Sequence, residues 1–260
     1  MNEQGSPDDP SSLPTLGLLV CGHAPDELLD TLPDYPDLFV RMLGPDSFDF
    51  RRYLVVDGHA MPAADDCDAW LITGSRHGVY EDHPWIAPLE ALVRDIHASG
   101  RPLIGICFGH QLIAQALGGR VEKHAGGWSV GRVEYRFDDG DPAVPLMAYH
   151  QDQVMELPPG ARVLGESDVC RYAALAIGDT IRTLQPHPEF DAAVVHGLLD
   201  TRGRVLPPER LAAARASLAH AADVESGRAG VADEFRTFLR EGIAARRAAG
   251  DAGGRAKASA

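Results

Sequence analysis

Short apolar runs alternate along the chain with longer segments whose apolar residues return every three or four positions. The runs read as buried strands and the segments as helices with one apolar face, so their order predicts a mainly parallel sheet covered on both sides. Leu16–Val20, Tyr53–Val56 and Ala69–Thr73 are the first three strand candidates. Pro84 can open a helix in which Ile86, Leu89, Leu92, Val93 and Ile96 share a face, and Gly100 and Pro102 stop it. Leu103–Ile106 then reads as a buried central strand.

After Gly118-Gly119 the period changes to two. Val133, Tyr135 and Phe137 alternate with polar residues up to Asp139-Gly140, which predicts antiparallel strands and a turn. Further strands are expected at Val163–Leu164, Tyr172–Ile177 and Ile181–Leu184, with a hairpin turn at Gly178-Asp179. From Asp191 onward the chain reads as helix, ending in a piece with Phe235, Phe238, Leu239 and Ile243 at spacings of three and four. Residues 1–14 and 247–260 lack periodicity and are expected to be disordered. Residues 15–246 are expected to form one domain, with a helical extension from about 195.

Composition removes several classes of partner. A formal charge of −14 without a basic patch repels phosphates, so neither nucleic acid nor an anionic membrane is expected as a partner. No apolar run approaches the ~20 residues of a membrane span, and the amino terminus lacks the basic start and apolar stretch of a secretory signal. Cys21, Cys67, Cys107 and Cys170 are too scattered for a CxxC metal pair or a disulfide scaffold. Reduced thiols and a cytoplasmic location are the expectation.

One cysteine stands apart from the other three. Gly105-Ile106-Cys107-Phe108-Gly109-His110-Gln111 follows a predicted buried strand and opens an amphipathic helix. A cysteine there sits on a tight strand-to-helix turn that forces its side chain outward, and a Cβ at either flanking glycine would collide with neighbouring backbone. The positive end of the following helix favours thiolate over thiol. A lone cysteine is more often a packed core residue, but a GxCxGHQ string arises by chance on the order of once in 10⁴ such sequences. Cys21, Cys67 and Cys170 have no such context and read as core.

This segment, with Gln185-Pro186-His187-Pro188-Glu189 about 80 residues later, resembles the class I glutamine amidotransferases, of the stand-alone kind similar to the GMP-synthase amidotransferase. The resemblance covers roughly residues 15–195. It implies a three-layer α/β fold, flavodoxin-like, with a mainly parallel central sheet flanked by helices. It also implies a catalytic triad of Cys107, His187 and Glu189. His187 has the chemistry to take the thiol proton and return one to the departing amine, and Glu189, two residues on in extended chain, points to the same side and can hold the imidazole.

The resemblance further implies an oxyanion hole from the N–H of Phe108 and one from the Leu71–Arg76 loop. The family has two glycines and a proline in that loop where this chain has Gly74-Ser75-Arg76, so either Gly74 or Ser75 supplies the second N–H. Gln111 corresponds to a residue that contacts substrate glutamine, and Gln151 and Asp152 to positions whose backbone helps bind its α-groups. His150 reads as structural and His110 as a packed histidine beneath the elbow. Lys123, His124 and Trp128 are candidates for the pocket entrance.

His77, Glu81, Asp82 and His83 have metal-ligand side chains, but their spacing matches no standard zinc signature, and a loop rimming the site is the favoured reading. No metal or other cofactor is expected. The implied activity is hydrolysis of a γ-glutamyl amide through a thioester, on glutamine, with a separate ammonia-accepting synthetase as a potential partner. A γ-glutamyl peptidase acting on glutathione-like compounds and a non-catalytic binding relative are the alternatives.

Overall fold

A computed structural model describes residues 12–137 and 142–258, with side chains to residue 249. The lead over 1–11 and the Asp139-Gly140 turn lie outside the described residues. In chain order come β1 (Thr15–Leu19), α1 (Asp26–Leu29), α2 (Tyr35–Leu43), β2 (Asp49–Tyr53), β3 (Ala69–Ile72), α3 (Ile86–Ser99), β4 (Leu103–Ile106) and α4 (Phe108–Ala116). The middle of the chain gives β5 (Arg120–Lys123), β6 (Ser129–Tyr135), β7 (Val144–His150), β8 (Asp152–Glu156), β9 (Ala161–Gly165), β10 (Ala174–Ile177) and β11 (Ile181–Leu184). Three helices close it: α5 (Ala192–Arg202), α6 (Pro208–Leu218) and α7 (Val224–Ala258).

Seven strands form one sheet in the order β2-β1-β3-β4-β11-β10-β9, parallel from β2 to β11, with β10 and β9 antiparallel. Its inner strands β1, β3, β4, β11 and β10 are buried along nearly their whole length because both faces are covered. Trp70, Ile72 and Leu103 face one core with Leu89, Val93 and Ile96 of α3 and Leu112 and Ile113 of α4. Leu71, Ile104 and Ile106 face the other, with Phe39 and Leu43 of α2 and Phe235, Leu239 and Ile243 of α7. These are the three layers expected from the sequence. The last helix, expected as an extension, supplies a wall of the second core.

Outside the main sheet, β5 pairs with β8 and β6 with β7, both antiparallel, in line with the period-two pattern. The turn at Gly178-Asp179 joins β10 to β11, with Gly178 at φ 54°. Gly100 caps α3 at φ 68°, and Asp191 caps α5 by accepting from the N–H of Val194 at 2.9 Å.

Three expectations need correction. The second strand lies earlier, at Asp49–Tyr53, and the apolar Val55–Asp57 is a 3₁₀ turn. This edge strand is largely exposed and polar, so its sequence carries no apolar run. Helix α2 was not foreseen, although Asp34 caps it through the N–H of Tyr35 at 2.8 Å and Pro36 sits in its first turn. Finally, α7 continues to Ala258 through the tail expected to be disordered, whose many alanines favour helix over coil.

Candidate active site

Cys107 joins β4 to α4 and has φ 51°, the one left-handed conformation of a non-glycine residue among the described residues. Strain of this kind persists only where neighbours enforce it. Here the enforcement is backbone contact. A Cβ on Gly109 would stand 2.4 Å from the carbonyl oxygen of Ile72, and one on Gly105 would stand 2.6 Å from the carbonyl of Gly109. The Cys107 N–H donates to Leu184 O at 2.8 Å, and its own carbonyl accepts from the N–H of Gln111 at 3.1 Å.

His187 follows β11, the strand beside β4, and its N–H donates to Met147 O at 2.8 Å. Its Nδ1 is 2.7 Å from Glu189 Oε1, and both residues are buried. The imidazole and the Cys107 side chain adjoin the same corner of the cleft, beside Gly74. Phe190 stacks flat on it, with centroids 4.1 Å apart and planes 1° from parallel, and Tyr35 of α2 packs behind Phe190. Arg228 of α7 donates to the carbonyls of Pro188 and Glu189 at 2.9 and 3.2 Å. Burial opposes charging of the imidazole, but the Glu189 carboxylate and the neighbouring Cys107 outweigh it and raise the His187 pKa to about 10.

A cleft of about 370 Å³ opens over this group, lined by Cys107, His187, Gly74, Ser75, Gln111, Gln151 and Asp152 among others. A Cβ on Gly74 would press to 3.0 Å from His187 Cε1 and 3.8 Å from Cys107 Cβ, which puts this glycine directly against the cysteine and histidine. Phe108 starts α4 with its ring buried against Trp85. Gln111 donates through Nε2 to Asp152 O at 2.8 Å and Gln185 Oε1 at 3.0 Å. It thus ties the elbow helix to the β7–β8 turn. The nine candidates for triad, oxyanion hole and substrate contact therefore belong to one locality.

His110 and His150 are buried and their pKa values are lowered by burial to about 3. His110 Nδ1 is 2.7 Å from Thr183 Oγ1 beneath the elbow, consistent with a packing role. Lys123 and Trp128 line the cleft, whereas His124 lines a neighbouring one with Trp128. Tyr35, Tyr80, Tyr149, Phe190, Arg202 and Arg204 also line the cleft without having been singled out. Phe190 adjoins the triad motif and could have been found there. Arg202 and Arg204 reach the cleft from the end of α5 and the 3₁₀ turn after it, far along the chain from the triad.

A cysteine held outward on an elbow, next to a buried histidine that leans on a glutamate, defines a cysteine-nucleophile enzyme. The profile of the glutamine amidotransferase class-I family matches residues 58–196, and the chain belongs to that family. Its relatives include γ-glutamyl peptidase 4 of Arabidopsis thaliana, 31% identical over 65% of this chain and 73% of that protein. One subunit of the glutamine-hydrolysing GMP synthase of Halobacterium salinarum is 35% identical over 52% of this chain and 73% of its own. A glutamine amidotransferase from Thermotoga maritima has the same fold, with a TM-score of 0.68 over 88% of this chain and 98% of that one at 18% identity. Among the described residues no helix is long and apolar enough to cross a membrane.

Proposed function

We propose that residues 15–246 act as one catalytic domain that hydrolyses γ-glutamyl amides, with Cys107 as nucleophile, His187 as acid and base and Glu189 as its orienting acid. The Cys107 sulfur adds to the γ-carbonyl carbon, and the oxyanion forms against the N–H of Phe108 and that of Gly74 or Ser75. The C–N bond breaks as His187 gives the amine a proton, leaving a thioester. Water, losing a proton to His187, then adds to the thioester and releases the γ-carboxylate and the thiol. Gln111, Gln151 and Asp152 hold the α-amino and α-carboxyl ends.

The observation that carries this reading is the convergence of Cys107 and the His187–Glu189 pair on one cleft, beside Gly74. A specific feature favours leaving groups larger than ammonia. In a chain of net charge −14, the cleft is lined by Arg76, Lys123, Arg202 and Arg204 against two carboxylates, Glu81 and Asp152. That balance suits a leaving amine that carries a carboxylate, as in a γ-glutamyl peptide, and the Arabidopsis relative is named as such a peptidase. With glutamine, the ammonia released would go to a separate synthetase, a reading supported by the Halobacterium relative being named as one part of a synthase. A cytoplasmic setting agrees with four free cysteines.

Intact-mass spectrometry after incubation with a γ-glutamyl chloroketone tests the reading. One adduct on Cys107, blocked by glutamine or a γ-glutamyl dipeptide, is the expected result. Stronger protection by the dipeptide would make peptidase the activity, and modification of Cys170 in place of Cys107 would overturn the assignment.

A further inference from the structure

The loop between β3 and α3 gathers three side chains that take no chemical step in the proposed hydrolysis. His77 Nδ1 lies 3.1 Å and His83 Nε2 2.9 Å from one oxygen, Glu81 Oε2, and the three atoms all fall within 4.8 Å of one another. With metal–ligand bonds of ~2.0–2.1 Å, neighbouring ligand atoms of a tetrahedral zinc site stand about 3.3 Å apart. The two observed separations approach the edges of such a tetrahedron. Two imidazoles and one carboxylate are a donor set for zinc-class ions, whereas magnesium and calcium prefer oxygen alone.

The cluster is braced at both ends. The N–H of His77 donates to Ser75 Oγ at 3.2 Å, next to the Gly74 corner. The His83 ring stacks on Trp85 with centroids 5.9 Å apart and planes 13° from parallel, and Trp85 packs against Phe108 at 5.5 Å. The two imidazoles are 4.1 Å apart between centroids, close enough to share one ion. Glu81 is 42% exposed in its side chain and lines the cleft, so solvent reaches the cluster from the cleft side.

We propose that His77, Glu81 and His83 form a binding site for a single zinc-class divalent ion at the rim of the cleft, with a fourth coordination position open to water. The site is independent of the hydrolytic reading. The spacing His-x₃-Glu-x-His matches no common signature, and only the fold of the loop brings the three atoms to one point. An ion there fixes the segment that runs from the Gly74-Ser75 corner to Trp85. The competing account is a cluster held by hydrogen bonds alone, with Glu81 accepting from both rings.

Titration of the Cys107→Ala protein with Co²⁺ separates the two, since that background removes the thiol that lines the cleft. One equivalent per chain, with the intense visible absorption of a four-coordinate site and displacement by Zn²⁺, is expected. Adding His83→Ala should weaken binding at least about tenfold and remove the absorption. Glu81→Gln, which preserves shape and folding, should do the same. Unchanged affinity in both added variants, or only the weak absorption of a six-coordinate ion, overturns the proposal.

Discussion

At the floor of the cleft, Cys107, His187 and Glu189 stand on backbone with no room to move, whereas at its rim Arg76, Tyr80 and Glu81 stand on a loop held by side-chain hydrogen bonds. Floor positions are fixed by contacts such as the approach of Gly109 to Ile72 O, and all three side chains there are buried. Rim positions depend on partners far along the chain, as when the Tyr80 hydroxyl donates to Asp152 Oδ2 across 72 residues. The floor is thus suited to chemistry that tolerates little displacement, and the rim to selecting what enters.

The sharpest test of the floor is the nucleophile. Cys107→Ala is expected to abolish hydrolysis, a loss beyond about 10⁴-fold, while Cys170→Ala, equally buried but off the cleft, retains it; glutamate release from glutamine and a γ-glutamyl dipeptide reads both. Comparable losses in the two variants would detach the elbow from the chemistry.

Glu189→Gln comes next, with an expected fall in kcat of roughly 10²–10⁴-fold because the neutral amide no longer stabilises the imidazolium. Stability should respond too. The folded His187 pKa, raised to about 10, exceeds the unfolded value near ~6.5, so its contribution is fully present below the unfolded value and is lost as pH rises through about 10. Denaturation midpoints of the wild type should therefore decline across that window, and those of the variant should decline less. A parallel decline in both would mean that Glu189 does not hold the imidazole charge.

Gly109→Ala attacks the backbone of the floor without removing a reacting atom. With 2.4 Å between the new methyl and Ile72 O, strand and helix must separate, at a cost of about 3 kcal/mol read from urea midpoints. A loss below about 0.5 kcal/mol would show that the elbow yields.

This contrast also explains what the sequence made legible. Gly105, Cys107 and Gly109 announce an elbow because only glycine survives such contact, and His187 and Glu189 sit two apart in one short motif, which folds as a turn closed by the Phe190 N–H on His187 O at 3.4 Å and not as the extended chain expected. Both signals are local. The strands of the central sheet were readable for the same reason, each being an apolar run flanked by turn residues. Strand β2 and helix α2 were not, since β2 is polar at the edge and α2 declares itself mainly through its Asp34 cap. At the rim, Arg202 and Arg204 join the cleft from the end of α5 and the turn after it, and no spacing along the chain encodes that.

The mildest substitution bears on the rim alone. Tyr80→Phe keeps the ring and deletes the hydroxyl that donates to Asp152 Oδ2 at 2.9 Å, between two partly exposed residues. A hydrogen bond in that setting contributes about 0.5–1.5 kcal/mol, so the effect on kcat/KM should stay within about tenfold. Because the triad is untouched, the loss should fall on KM with kcat unchanged, and more heavily on a γ-glutamyl dipeptide than on glutamine if the rim selects the leaving group. A fall in kcat would instead couple the rim to the floor. The connection to examine would then be Gln111, whose Nε2 donates to the carbonyl of the same Asp152 from the first turn of the elbow helix.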